Sequence, residues 1–168
     1  MERYDILDES GAVVGQTDRD GIHDGSRLLH GVVHLLVFND RGQLILQKRA
    51  MAKLIEPGKW DTSVGGHIDS GETIEQALAR ETAEELGIRD APCERLYTYI
   101  AETDIERELV TAYRCTWNGP IVFPADEIEE VAWYTPGEVE SMRGTGLLTP
   151  NFEQEWEQYL RWKHCMNQ

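Results

Sequence analysis

The segment GHIDSGETIEQALARETAEELGI (66–88) carries Glu72, Glu75, Glu81, Glu84 and Glu85 around Arg80. Thr73 with Gln76 three residues on has capping-box spacing, and Gly87 after Leu86 is a C-terminal stop, so a helix is predicted over 73–86. On that helix Ile74, Ala77, Leu78, Thr82 and Leu86 form the stripe that faces a core. Glu81 and Glu85 fall within it, about 20° to either side of Ile74. Glu84 joins them through i, i+3 neighbourhood. A run of glutamates on a helix is ordinarily a solvated face, but this placement argues otherwise. Ionised carboxylates set side by side against an apolar layer are costly unless cations compensate them, and Arg80 cannot neutralise three. Divalent cations can. Oxygen-only donors suit Mg²⁺ or Mn²⁺, which keep waters and accept substrate phosphate oxygens as further ligands.

A carboxylate cluster of this kind needs a rigid frame behind it. YDILDESGAVVGQT reads as a hairpin turning near Ser10-Gly11, followed by a polar loop over 18–27. HGVVHLLVF (30–38) is β-branched and apolar, NDRG is a turn, and QLILQKR (43–49) completes a second hairpin. A loop around Pro57-Gly58 leads into the short run WDTSVGGHI. Beyond the acidic helix, RLYTYIAET, ELVTAYRCTW and VAWYT read as strands, and a helix begins near Pro136. Phe152, Trp156, Tyr159 and Leu160 have the spacing of an amphipathic helix laid on a sheet, with Asn151 as its expected N-cap. Trp60, Trp133 and Cys115 are expected in the core; Trp117 suits either core packing or base stacking.

The whole chain, 168 residues with 40% hydrophobic, fits one domain (1–168) of mixed α/β class. Its formal charge of −15 argues against a nucleic-acid surface. Cys93, Cys115 and Cys165 are odd in number and far apart, so neither a disulfide framework nor a zinc site is indicated. MERYDILDES has no apolar h-region and no run reaches 18 apolar residues; the expectation is a cytoplasmic protein without membrane or nucleic-acid partners. A homodimer would be unsurprising.

Gly66, Glu72, Arg80, Glu81, Glu84, Glu85, Gly87 and Ile88 together match the Nudix box, G-x5-E-x7-R-E-U-x-E-E-x-G-U with U apolar; Thr82 at the first U is the one departure. Seven fixed matches would arise by chance on the order of once in 10⁸ starting positions. The resemblance implies a Nudix-type α/β/α sandwich with a mixed central sheet. It also implies hydrolysis of a nucleoside diphosphate derivative or similar small diphosphate by metal-activated water. Glu84 and Glu85 would be metal ligands, with the Gly66 carbonyl beside them. Glu81 would be a ligand or general base, and Glu72 and Arg80 would orient loop and helix.

RAMAKLIEPGKWDTSVGGH (49–67) resembles a particular branch, the type 1 isopentenyl diphosphate isomerases. By that likeness His23, His30, His67, Glu106 and Glu108 would bind a second metal, Mn²⁺ or Zn²⁺. Arg49 and Lys53 would hold the diphosphate, and Tyr99 matches a tyrosine beside the acid/base glutamate. Two departures favour hydrolysis. The branch has an acid/base cysteine where this chain has Gly65, which cannot transfer a proton. It has Ser-Pro-Trp where this chain has Thr149-Pro150-Asn151, removing an indole suited to a carbocation. Glu127 lies in a loop where many Nudix hydrolases keep another acid. An isomerase-like enzyme and a non-catalytic diphosphate-binding module remain the alternatives.

Overall fold

A computed structural model describes residues 2–167 as one nine-stranded mixed sheet with helices on both faces. The sheet is organised by β3 (Leu29–Phe38). One edge of β3 runs parallel to β8 (Arg107–Thr116) from Leu29↔Arg107 to Phe38↔Thr116. Its antiparallel partners are β1 (Arg3–Leu7) at His30, β6 (Val64–His67) over Val32–Leu35, and β4 (Leu44–Arg49) at Phe38. β1 continues the sheet to β2 (Val13–Asp18), β8 to β7 (Glu94–Glu102), and β4 to β5 (Trp60–Asp61) and β9 (Ile128–Tyr134).

The alternation of β3 decides what lies on each face. Val33, Leu35 and Val37 point to one side, where α2 (Ile74–Leu86) buries Ala77, Leu78 and Leu86 against them. Leu36 points to the other, where α3 (Pro136–Met142) and α4 (Pro150–Met166) bury Val139, Phe152, Trp156 and Tyr159. Each buried valine, leucine or phenylalanine among these contributes about 1.5–3 kcal/mol. The expected α/β/α sandwich is therefore the fold, and Trp60 and Cys115 lie in its core. The Trp117 ring packs against the α2-side core, and its Nε1 donates to the Pro120 carbonyl at 3.1 Å.

Three local expectations are corrected. The 30–49 hairpin pairs through Phe38↔Leu44 alone, because β4 diverges toward β5 and β9 while β6 takes its place beside β3. Ser63 bridges this split: its hydroxyl donates to the Ile45 carbonyl at 2.5 Å and accepts from the Val37 N–H at 3.0 Å. The 18–27 loop contains a short helix, α1 (Arg19–His23), because Asp18 caps it by accepting from the Gly21 N–H. The N-cap of α4 is Thr149, whose hydroxyl accepts from the Phe152 N–H; Pro150 then occupies the first helical position, and Asn151 is free for another task. Among the described residues no helix is long and apolar enough to cross a membrane.

Candidate active site

The split between β4 and β6 opens into a cleft of about 670 Å³, lined by residues from both strands, α1, α2 and the 50–61 and 124–127 segments. The acidic helix borders it. The Thr73–Gln76 capping box fixes the start of α2, and Gly87 ends it in the left-handed region at φ 67°. Arg80 ties α2 to the preceding loop. Its Nε and Nη2 donate to the two oxygens of Glu72 at 2.9 Å each, Nη2 donates to the His67 carbonyl at 3.0 Å, and Nη1 donates to Glu81 at 2.7 Å. Glu72 also accepts from the Asp69 N–H at 3.0 Å, which locks the loop.

Glu81 and Glu85 lie in the cleft as their stripe positions predict. Glu84 lies at the exposed rim, 3.6 Å from Arg80, and so is the least buried of the three. Gly66 sits against Glu81 so closely that an added Cβ would stand 2.1 Å from its carboxyl carbon. One Glu85 oxygen accepts from Gln47 at 2.6 Å; the other is buried without a hydrogen-bond partner among the described residues. Burial, then the neighbouring Glu81 charge, pushes Glu85 well above the usual carboxylate range, and burial raises Glu81. Two adjacent part-buried carboxyls, one with an orphaned oxygen, fit a divalent cation in both charge and donor type.

A second group lies across the cleft. One donor atom each from His30, His67, Glu106 and Glu108 falls within 4.8 Å of the others. His30 Nδ1 donates to the Leu28 carbonyl at 2.9 Å, which leaves Nε2 facing Glu106 at 3.5 Å and Glu108 at 3.9 Å. His67 Nε2 is 4.0 Å from Glu106. These gaps are long for hydrogen bonds, and among the described residues both His30 Nε2 and Glu106 Oε2 are buried without a hydrogen-bond partner. Donors flanking a metal ion would have this separation. His23 approaches Glu106 to 3.5 Å but stands outside the tight group. Burial, then the charge of Glu106, pushes Glu108 up to about 7. Burial would also raise Glu106, but His30 and His67 hold it below its ordinary range. Burial keeps His67 low and hence neutral, the state that binds metal.

The expected diphosphate cations also reach the cleft. Arg49 is braced by the Ile55 carbonyl at 2.8 Å and by Asp61 at 3.4 Å, and Lys53 lines the same wall. Glu127 lines the cleft from an exposed loop. Tyr99 donates to Glu155 at 3.1 Å, and a Glu108 oxygen accepts from Asn151 at 2.7 Å. Gln47, Asn151 and His34 also line the cleft, Asn151 where the resembled branch carries its indole. Strand parity carried a signal for His34, which shares its β3 face with His30. Nothing local points to Gln47.

Comparison with known proteins gives the family. The family model for the NUDIX domain matches residues 28–159. A Yersinia pestis protein named an uncharacterized Nudix hydrolase is 31% identical over 166 residues, covering 93% of this chain and 91% of that one. An isopentenyl-diphosphate Delta-isomerase of Enterobacter sp. is 32% identical over 140 residues, covering 79% and 76%. Among solved structures, DR0079 from Deinococcus radiodurans superposes with a TM-score of 0.77 at 28% identity, covering 88% of this chain and 92% of that one. With box, sandwich and relatives in accord, the chain belongs to the Nudix family of hydrolases, enzymes that cleave acid anhydrides.

Proposed function

We propose that this enzyme hydrolyses a phosphoanhydride bond in a nucleoside diphosphate derivative or similar small diphosphate, using Mg²⁺ or Mn²⁺. The observation that carries the reading is one cleft holding Glu81 and Glu85, an orphaned Glu85 oxygen and the cations Arg49 and Lys53. Glu81, Glu84, Glu85 and the Gly66 carbonyl would hold the ion, which when bound neutralises phosphate charge and acidifies water. Arg49 and Lys53 grip the diphosphate, Arg49 through a planar fork already aimed by Ile55 and Asp61. Glu81, against Gly66 and held by Arg80, serves as a ligand or as the general base that takes the proton of the attacking water. Glu72 and Arg80 keep α2 aligned to the 66–72 loop.

His30, His67, Glu106 and Glu108, with His23 beside them, fit a second ion, Mn²⁺ or Zn²⁺. Glu127 supplies a further acid at the rim. The acting unit is the single domain 1–168. Hydrolysis is preferred to allylic isomerisation because Gly65 has no proton to give and Asn151 offers an amide, engaged with Glu108, where the isomerase-like branch offers an indole. The test is release of phosphorylated product from nucleoside diphosphates and triphosphates, sugar nucleotides, dinucleotides, thiamine diphosphate and isopentenyl diphosphate. Activity that needs Mg²⁺ or Mn²⁺ and falls at least about 100-fold in Glu85→Gln supports the reading. A Glu84→Gln or Glu85→Gln variant with full metal-dependent activity removes that residue from the site.

A further inference from the structure

Beneath the cleft floor lies a polar assembly that neither carboxylate group uses. Glu155, from α4, is fully buried. Its oxygens accept from the hydroxyls of Tyr97 and Tyr99 on β7, and Oε1 is 2.8 Å from Nδ1 of His34 on β3. A buried carboxylate needs a compensating charge, and of these three partners only His34 can be a cation. His34 Nδ1–H therefore donates to Glu155, and the ring is held as an imidazolium whose second donor is Nε2. Burial would lower the His34 imidazole, but the hydrogen bond to Glu155 and its charge, with the charges of Glu108 and Asp61, together raise it.

The other ring edge faces Gly65. A Cβ added there would lie 3.3 Å from His34 Cδ2 and 3.5 Å from Nε2. Because residue 65 has no side chain and is exposed, the ring edge opens into the cleft, which His34 and Gly65 both line. The carboxylates that face the ring from neighbouring strands are Asp61 on β5 and Glu108 on β8. Both are engaged: Asp61 accepts from Thr149 at 2.9 Å and lies 3.4 Å from Arg49, and Glu108 accepts from Asn151 at 2.7 Å. Among the described residues the ring's hydrogen bond is the one to Glu155. A charged N–H donor at a cleft floor calls for an anionic acceptor from outside the protein.

We infer that His34 is a substrate-binding residue whose Nε2–H donates to a phosphoryl oxygen of a diphosphate lying across Gly65, with Glu155 as its positioning residue. The assignment rests on the diphosphate reading above, and adds a third cation, from the sheet floor, to Arg49 and Lys53 on the wall. The experiment titrates the full chain with methylenediphosphonate, a non-hydrolysable diphosphate, in saturating Mg²⁺. Binding is followed by calorimetry, and the His34 ring nitrogens by ¹⁵N NMR. The ligand is expected to shift the His34 Nε2 resonance. Affinity should fall about tenfold or more in His34→Gln and in Gly65→Ala, whose methyl covers the ring edge, while affinity for Mg²⁺ alone stays unchanged. Glu155→Gln is expected to shift the Nδ1 resonance in the absence of ligand. Ligand binding to the wild-type chain without movement of the Nε2 resonance overturns the assignment and leaves the hydrolase reading standing, even where the variants do not fold. Failure of the wild-type chain to bind methylenediphosphonate overturns the assignment, and turnover of the substrate panel then decides the hydrolase reading separately.

Discussion

Replacing Gly66 by alanine perturbs the site through a single methyl group. The new Cβ would stand 2.1 Å from Glu81 Cδ and 2.5 Å from its Cγ and Oε1. Ordinary contact between such atoms begins near about 3.5 Å, so the Glu81 side chain must move by more than about 1 Å. It cannot swing freely, because Arg80 grips Oε1 at 2.7 Å and is itself tied to Glu72. Overpacking of this kind costs about 1–3 kcal/mol and should lower the melting temperature by roughly 3–10 °C. A displacement of about 1 Å in a metal-binding carboxylate should cost on the order of 100-fold in kcat/KM. The assay is steady-state hydrolysis with Mg²⁺, paired with calorimetric Mn²⁺ affinity. Gly137→Ala is the control, since its Cβ would meet nothing closer than Thr135 Oγ1 at 3.9 Å. A Gly66→Ala enzyme with wild-type kcat/KM and metal affinity would refute the packing argument and the placement of Glu81 at the metal.

The metal-free protein should lose stability as pH rises from about 4.5 to 7. Glu85 and Glu108 titrate higher folded than unfolded, so the folded state binds the extra protons and its advantage disappears through that window. Thermal denaturation in EDTA reads the slope, which is expected to amount to a few kcal/mol. Adding Mn²⁺ should stabilise most at the alkaline end, where the carboxylates are free to bind it. Arg80→Lys keeps the charge but loses the fork that spans Glu72, Glu81 and the His67 carbonyl. Chemical denaturation should show about 1–3 kcal/mol less stability, with kcat reduced more than KM because α2 is no longer held to its loop.

Much of this architecture is local in origin and could be read from the chain. The capping box at Thr73, the stop at Gly87 and the apolar stripe of α2 depend on residues within a few positions of one another. The placement of Glu81 and Glu85 follows from the same helical period, whereas Glu84, one step off the stripe, ends at the exposed rim. What escaped reading depends on distant partners. The brief β3–β4 pairing is decided by β6 and by Ser63, far along the chain from the NDRG turn. Thr149 displaces Asn151 as the cap because Pro150 fits the first helical turn, and Asn151 is then drawn to Glu108, 43 residues away. Glu155 stands between Phe152 and Trp156 on an amphipathic helix and resembles an ordinary surface charge until His34, 121 residues earlier, is placed beneath it.

The central claim is that the cleft cleaves a phosphoanhydride with the help of divalent cations held by its glutamates. ³¹P NMR of the diphosphate panel in ¹⁸O-enriched water, with Mg²⁺ and then with EDTA, tests it most directly. The account predicts that at least one substrate releases a phosphorylated product carrying one ¹⁸O, only with the metal present and not with Glu85→Gln. Migration of the isopentenyl double bond without phosphate release, or turnover that continues undiminished in EDTA, would contradict it.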